Sequence, residues 1–461
     1  MFRKLLRKKA IGQPSTNSLL RRSLSTFDIT LMGIGAIIGA GVFVLTGVAA
    51  ATTAGPAVVI SYAIAGIASM FAALAYAELA ASVGGSGSAY SYAYAGFGEL
   101  MAWIIGWNLL LEYLMAVSTV AIGWSGYVNN LLEAMHIPLP ASITIDPFSG
   151  GVINLLAVFI IILLSILLSI GIKQSARFNA VIVFIKLMTI AVFVCVATTE
   201  VNVINWHPFF PFGWTGVMQG AALVFFAYIG FDALSTSVEE AINPQYSVPF
   251  GIIISLIICT LIYIIVSGLL TGIVPYHTLN VRSPVSDALL RLGHTTMGGI
   301  IAAGAIAGLT TVMLVMFYGL TRICLAISRD GLLPIALARI NPETHTPIRI
   351  IVISGILIAL IAGFVPINHA AELVNIGTLA AFTFVCGGVM MLRLTHPELP
   401  RPFRLPLNPL IPVLGMLSCL YLMLQLPAIT WWRFIIWTLI GIVVYFLYGL
   451  SHSLPLDKKI K

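Results

Sequence analysis

The sequence predicts an all-α polytopic membrane protein, and three observations support this fold class. Of the 461 residues, 59% are hydrophobic and only 8% are charged, which is too little polar surface to cover a soluble fold of this size. The apolar residues form runs of about 20 or more, the length that crosses a hydrocarbon layer of about 30 Å as a helix. Short alternating segments, the pattern of a membrane β-barrel, do not occur in the sequence.

The apolar runs divide the chain into twelve predicted spans, each bounded by turn-forming or charged residues. The predicted spans are roughly 28–50, 56–79, 91–128, 151–172, 178–199, 215–238, 248–273, 296–327, 347–366, 370–393, 408–428 and 431–451.

The basic residues predict the topology. Nineteen of the 23 Lys and Arg residues fall in the tails and loops on the side of the amino terminus, three fall on the other side, and Lys186 lies within the fifth span. This asymmetry predicts that both termini are cytoplasmic. The net charge of +7 is therefore a topology signal, and no nucleic-acid partner is expected. The basic start resembles a secretion signal, but the apolar run after it is too long and too Gly-rich, so it is interpreted as a retained tail.

Two spans carry unusual interruptions. The first span contains MGIGAIIGAGVFVLTG, and the sixth contains LVFFAYIGFDALS; each interior glycine weakens a helix by about 1 kcal/mol relative to alanine. Gly230 follows Gly39 by 191 residues. The same shift carries spans 2, 4 and 5 to within about five residues of spans 7, 9 and 10, and span 3 to a point ahead of span 8. Two sets of five helices predict an inverted-repeat transporter; close helix packing at the glycines is the alternative.

The segment between spans 6 and 7 argues against two six-helix halves, because it lacks the long central loop of that architecture. The predicted organisation is a cytoplasmic tail, a first repeat, a second repeat, two further helices and a second tail. These parts cover 1–27, 28–200, 215–393, 408–451 and 452–461, respectively.

Four blocks of the sequence resemble the amino acid–polyamine–organocation superfamily and, within it, the cationic amino acid transporter family. They are GIGAIIGAGVFVLTG (33–47), AYAELAASVGGSGSAYSYAYAGFGELMAWIIGWNLLLEYL (75–114), FFPFGWTGVMQGAALVFFAYIGFDALSTSVEEAINP (209–244) and LTRICLAISRDGLLP (320–334). The resemblance covers nearly the whole chain and is closest to bacterial members, which stop after the twelfth span. It implies the leucine-transporter (LeuT) fold, a five-plus-five inverted repeat with two extra helices.

A helix that stops inside the membrane leaves N–H groups free at one end and carbonyls free at the other, and these groups suit the two charges of an amino acid. The resemblance implies which groups bind. The substrate carboxylate is expected at the N–H groups of Gly39, Ala40 and Gly41, and the ammonium at the carbonyls of Ile37, Phe226, Ala227 and Ile229. Phe226 is the expected lid over the substrate; an ordinary packed aromatic is the alternative.

Glu112 and Asp232 are acids well inside predicted spans. An acid at the bilayer centre costs about 2.5–3.5 kcal/mol on insertion scales, so it usually faces a cavity or a partner. One interpretation is that one of these acids binds a cationic side chain of the substrate. The alternative is that both are hydrogen-bonded acids with a structural role. Ala116 and Thr119 share the helix face of Glu112 and are expected near it. The resemblance adds Met316, whose long apolar side chain would favour small neutral substrates.

Lys186 matches the position at which proton-coupled relatives carry a lysine in place of a sodium ion. Its ammonium would satisfy the free carbonyls of helix 1. A buried ammonium can also lose its proton, because desolvation penalises the charged form. The sequence therefore predicts proton coupling, with no sodium and no other cofactor; a lysine that snorkels to the membrane surface is the alternative.

The predicted function is secondary active transport of L-amino acids across the plasma membrane, by proton symport and alternating access. The expected substrates are small neutral and/or cationic amino acids. An exchanger or a polyamine transporter of the same fold remains open, as does a small membrane partner. A channel or a membrane-embedded enzyme is disfavoured, because the spans contain neither polar stripes nor a nucleophile–acid–base set.

Overall fold

The computed structural model describes Arg7 and residues 24–83, 88–171, 176–235 and 241–453. Within these ranges the protein is all-helical, and the only extended pairing is an isolated bridge between Leu24 and Ala241. The main helices are α1 (Thr26–Ile37, continuing over 41–54), α2 (Val58–Ser82), α3 (Glu99–Ala134), α4 (Leu155–Ile170), α5 (Ala176–Thr199), α6 (Gly213–Val224, continuing over 225–234), α7 (Pro244–Ile273), α8 (Thr295–Arg329), α9 (Ile348–Phe364), α10 (Ile367–Thr395), α11 (Leu410–Leu424) and α12 (Ala428–Val444).

Each of the twelve predicted spans coincides with one of these helices. Among the described residues, seven helical segments are long and apolar enough to cross a membrane, and the first of them joins α1 to α2. Helices α4, α9 and α11 are apolar but shorter. The multi-pass membrane class is therefore confirmed.

The boundaries of several spans differ from the prediction for local reasons. The third predicted span begins at 91, whereas α3 begins at Glu99. Gly98 has a φ of 98°, and this turn separates a short helix (Ser88–Gly96) from α3. The fourth predicted span is also too long. Asn154 caps the start of α4, and Gly171, with φ 83°, ends it. Glycine adopts such positive φ values readily, whereas other residues rarely do.

The helices pack in two groups around the interruptions. Helices α1, α2, α6 and α7 contact one another, and α3, α4, α8 and α9 form a second set of neighbours. Helix α5 contacts α1, α7 and α8, and α10 contacts α2, α3 and α6. The two groups meet where α1 contacts α8 and where Tyr113 of α3 donates to Asp232 of α6, close to the interruptions of α1 and α6.

The acids at the helix ends fall into two types. Asp28 completes a capping box with Ser25 at the start of α1, as expected for an acid in the first turn. Glu78 is not a cap, although capping or surface solvation would account for an acid near a helix end. It is 2% exposed, accepts from Arg393 Nε at 2.8 Å and lies 3.6 Å from Arg401 Nε. Glu239 and Glu240, candidates for an inner gate, lie outside the described residues.

The Glu78 cluster holds α2 against the end of α10 and the segment that follows it. The backbone N–H of Leu405 also donates to Glu78 at 2.8 Å. A buried carboxylate with three hydrogen bonds, two from Arg393 and one from Leu405, is well satisfied, and the removal of its charge would leave the Arg393 guanidinium without its ion-pair partner.

We expect Glu78→Gln to destabilise the protein by about 3 kcal/mol, because one partner of a buried ion pair is lost. The melting temperature in detergent should fall by several degrees. Glu398→Gln is the matched control, since Glu398 is exposed and its carboxylate lies 3.1 Å from His396 Nδ1 at the surface. Equal melting temperatures for the two variants would contradict the structural role of Glu78.

Candidate functional site

The interruption of α1 exposes backbone donors. The helix ends at Ile37, Ile38 is extended (φ −72°, ψ 102°), and the helix resumes at Gly41. The N–H groups of Gly39, Ala40 and Gly41 therefore begin a new helical segment, and no acceptor for them occurs in the described part of the chain. They lie at the amino-terminal end of the second segment, where the helix dipole is positive, and such an end suits an anion.

The interruption of α6 lies directly opposite. A single 3₁₀ turn, Phe225–Tyr228, follows the first segment, and Ile229 is extended (φ −66°, ψ 140°). Gly230 has φ 118°, a value that glycine alone adopts without strain. A Cβ on Gly230 would also lie 2.9 Å from the carbonyl oxygen of Ala36. Both predicted interruptions are thus confirmed.

The two interruptions are in backbone contact. A Cβ built on Gly41 would lie 2.3 Å from the Cα of Ala227, closer than any side chain allows. Glycine at this position lets the second segment of α1 rest on the 3₁₀ turn of α6. This contact brings the donors of one break next to the acceptors of the other.

Side chains from neighbouring helices satisfy several of the freed carbonyls. Lys186 of α5 is fully buried, and its Nζ donates to Gly35 O at 2.6 Å and to Ile38 O at 3.1 Å. It does not snorkel. The hydroxyl of Tyr62 donates to Gly41 O at 2.9 Å.

Two carbonyls expected to bind the ammonium share another partner. The hydroxyl oxygen of Tyr263, on α7, lies 2.8 Å from Ile37 O and 2.8 Å from Ala227 O. A third expected acceptor, Phe226 O, receives the backbone N–H of Ile229 at 3.2 Å. These contacts were not foreseen from the sequence.

A small, closed cavity lies beside the interruptions. Four of the predicted site residues line it: Glu112, Ile229, Asp232 and Met316. The remaining predicted residues are not on the cavity wall. They are buried at the breaks, except for Lys186, which is buried on α5 next to α1. The rest of the wall consists of Ala36, Tyr113, Ala116, Gly230, Val312 and Val315.

The two acids of the cavity differ in their bonding. Asp232 accepts from the Tyr113 hydroxyl at 3.0 Å and from the backbone N–H of Gly230 at 3.2 Å. Glu112 is 1% exposed. Neither of its oxygens meets the geometric criteria for a hydrogen bond to a described residue, and the neighbouring donor is the hydroxyl of Thr378 on α10. Asp232 is therefore the more firmly bonded of the two acids, which fits the structural interpretation.

Two further predictions can be placed. Phe226 is buried, with 4% of its surface exposed, but it is not on the cavity wall, so the lid remains a prediction. Ala116 lines the cavity as expected from its place on the face of Glu112. Thr119 does not; its hydroxyl donates to Met115 O within α3.

Sequence reasoning missed Tyr263, Tyr113 and the valines of α8. A tyrosine inside an apolar run is a usable signal, because its hydroxyl needs a partner when buried. Val312 and Val315 carry no such signal, since an apolar residue on a cavity wall looks like any other in the sequence.

Two interrupted helices that meet beside a small cavity, inside a bundle of apolar helices, are typical of a transporter. The family model of the amino acid permeases matches residues 24–446. The chain belongs to this amino acid permease family, and it is a transporter and not an enzyme.

Individual relatives cover the whole length of the chain. The chain is 49% identical to the methylthioribose transporter of Bacillus subtilis (strain 168), over 98% of this chain and 99% of the relative. It is 48% identical to the branched-chain amino acid permease BcaP of the same organism, over 98% of each. Cationic amino acid transporter 4 of Mus musculus is 32% identical, over 98% of this chain and 90% of the relative. The resemblance to the cationic amino acid transporters is confirmed, and the two bacterial proteins are more similar.

We expect Gly41→Ala to abolish ligand binding and to lower the melting temperature, because the new methyl group would meet the backbone of Ala227. The matched control is Gly299→Ala in α8, where no atom lies within 4 Å of the added Cβ. That substitution should leave the melting temperature unchanged or raise it slightly, since alanine favours the helix by about 1 kcal/mol. Normal binding by the Gly41 variant would show that the breaks are not in contact.

Proposed function

We propose that the protein is a proton-coupled symporter of neutral L-amino acids with apolar side chains, branched-chain amino acids included. It works by alternating access in the plasma membrane, with both termini in the cytoplasm. The twelve helices form a LeuT-like inverted repeat, with α1–α5 as the first half, α6–α10 as the second half and α11–α12 added. The single observation that carries the proposal is the meeting of two interrupted helices beside a small cavity.

The amino acid backbone of the substrate binds at the interruptions. The N–H groups of Gly39, Ala40 and Gly41 receive the carboxylate, because they lack acceptors and lie at the positive end of a helical segment. The ammonium lies toward the carbonyls of Ile37 and Ala227. Each charge thus meets a backbone dipole in a place where water is scarce.

The side chain of the substrate lies in this cavity, whose volume of about 10 Å³ must increase to admit it. Val312, Val315, Ala116 and Met316 form an apolar part of the wall, opposite the polar residues Glu112, Asp232 and Tyr113. The apolar part favours an aliphatic side chain. The relative named as a branched-chain amino acid permease supports this choice. Met316 sets the length of side chain that fits.

Lys186 couples transport to protons. Its ammonium holds Gly35 O and Ile38 O on either side of the point where α1 stops. A sodium ion would need these carbonyls as ligands, so the lysine takes its place. When Lys186 loses its proton, the charge-assisted bonds to α1 weaken, and the first segment of α1 is released to move.

Methylthioribose is a second candidate substrate, and one observation favours it. Among the described residues, neither oxygen of the buried Glu112 carboxyl has a hydrogen bond of good geometry, and the hydroxyl groups of a sugar would supply donors. The relative at 49% identity is named for this compound. The sugar has neither ammonium nor carboxylate, so the exposed backbone groups of the breaks would then go unused.

The test is uptake by proteoliposomes without sodium, with and without an inward proton gradient. Labelled L-leucine is the substrate, and unlabelled L-alanine, L-arginine, spermidine and methylthioribose compete. We expect proton-stimulated leucine uptake that alanine inhibits and the other three inhibit weakly.

Strong inhibition by methylthioribose, with no uptake of leucine, would overturn the proposal in favour of the sugar. Strong inhibition by arginine would make Glu112 a specificity residue for cations. Uptake that needs internal amino acid and ignores the gradient would indicate an exchanger.

We expect Lys186→Met to reduce gradient-driven accumulation at least tenfold while leaving counterflow exchange measurable, because only the coupling group is lost. Thr189→Val is the matched control. Thr189 lies one turn away in α5, and its hydroxyl donates only to Ile185 O in the same helix. Full gradient-driven uptake by the Lys186 variant would exclude the coupling role.

A further inference from the structure

Lys186 contacts α8 as well as α1. Its ammonium donates to two carbonyls of α1, while its aliphatic chain crosses the face of α8 at Gly308. A Cβ built on Gly308 would lie 3.0 Å from Cγ, 3.0 Å from Cε and 3.4 Å from Cδ of Lys186. The chain of the lysine therefore lies directly against the backbone of α8 on its way to α1.

A second glycine of α8 lies one turn before Gly308, on the same face of the helix. A Cβ on Gly304 would overlap the hydroxyl oxygen of Thr189, which follows Lys186 by about one turn in α5. Both glycines are buried. Two residues of α5 thus pack on the backbone of α8, as small residues allow in a membrane bundle. The contact of Thr189 depends on shape alone, so a valine at 189 would preserve it.

The position of the Lys186 ammonium is fixed from two sides. The hydrogen bonds to Gly35 O at 2.6 Å and to Ile38 O at 3.1 Å hold the nitrogen, and the backbone at Gly308 limits where the chain behind it can lie. Contacts between carbon atoms are favourable at about 3.5–4.0 Å. A methyl group at 308 would therefore force the Lys186 chain to move by several tenths of an ångström, and the geometry of both hydrogen bonds would change.

The same face of α8 continues to the substrate cavity. Val312 follows Gly308 by one turn, lines the cavity and packs against Gly39 at the break of α1. Gly308 is not on the cavity wall. A methyl group at 308 consequently reaches the lysine and leaves the residues of the wall unchanged.

We propose that Gly308 is a positioning residue for the coupling lysine. The absence of a side chain at 308 leaves the space through which the Lys186 chain reaches the carbonyls of α1. The inference rests on the proposed function, because it concerns proton coupling by Lys186. Gly308 acts through Lys186 and does not itself touch the substrate.

The test is Gly308→Ala, measured by uptake of labelled L-leucine into proteoliposomes without sodium. We expect gradient-driven accumulation to fall about fivefold, because the hydrogen bonds of a charged group are weakened but not lost. Counterflow exchange, which does not need the coupling group, should be retained, as is expected for Lys186→Met.

Gly299→Ala is the matched control. It adds a methyl group to the same helix at a place where no atom lies within 4 Å of the new Cβ, and its accumulation should equal that of the original protein. A Gly308 variant that accumulates leucine as the original does, or that loses accumulation and exchange equally, would overturn the inference alone. Full accumulation by Lys186→Met would overturn the proposed coupling and this inference with it.

Thermal unfolding separates this role from close helix packing, the competing explanation for a glycine at 308, and it stays informative if Gly308→Ala folds poorly. Relative to Gly299→Ala, the substitution should lower the melting temperature by several degrees in the original protein but not in the Lys186→Met background, because a methionine chain without hydrogen bonds can move aside. Such non-additivity is expected of residues in contact. Equal losses in the two backgrounds would show that the methyl group does not act through the lysine, and would overturn the inference.

Discussion

Backbone groups that are freed inside a membrane bundle must be satisfied by the protein or by its ligand, because hydrocarbon offers no hydrogen bonds. The rest of this structure depends on that constraint. Helices α1 and α6 both stop midway, and buried polar side chains of neighbouring helices contact the freed carbonyls. Lys186 and Tyr263 each serve two carbonyls. The N–H groups at the start of the second α1 segment have no acceptor among the described residues, and they therefore suit an anionic group.

Much of the fold could be predicted from the sequence, because the signals are local. Runs of apolar residues gave the helices, and clusters of glycine gave the two interruptions. The start of α3 was misplaced because Gly98 divides an aromatic-rich stretch whose composition is continuous on both sides. The short α4 was overestimated for a related reason, since hydropathy does not register the cap at Asn154.

The site was predicted in part. Glu112, Asp232 and Lys186 stand out because a charged residue in an apolar run needs a reason to be there. The sequence did not indicate that Asp232 is bonded to Tyr113, whereas Glu112 has no hydrogen bond of good geometry among the described residues. Such differences arise from contacts between distant positions: Tyr263 and Ile37 lie 226 residues apart. No local sequence pattern predicts a contact between such distant residues. Apolar residues of the cavity wall, such as Val312, cannot be told from other apolar residues in the sequence.

The contact between Gly41 and Ala227 has a mechanical consequence. Two backbones that touch without intervening side chains leave no space between them, so the second segment of α1 cannot shift toward α6 unless the 3₁₀ turn Phe225–Tyr228 moves away. The glycine that brings the donors and acceptors together therefore also restricts how the two interrupted helices can move relative to each other.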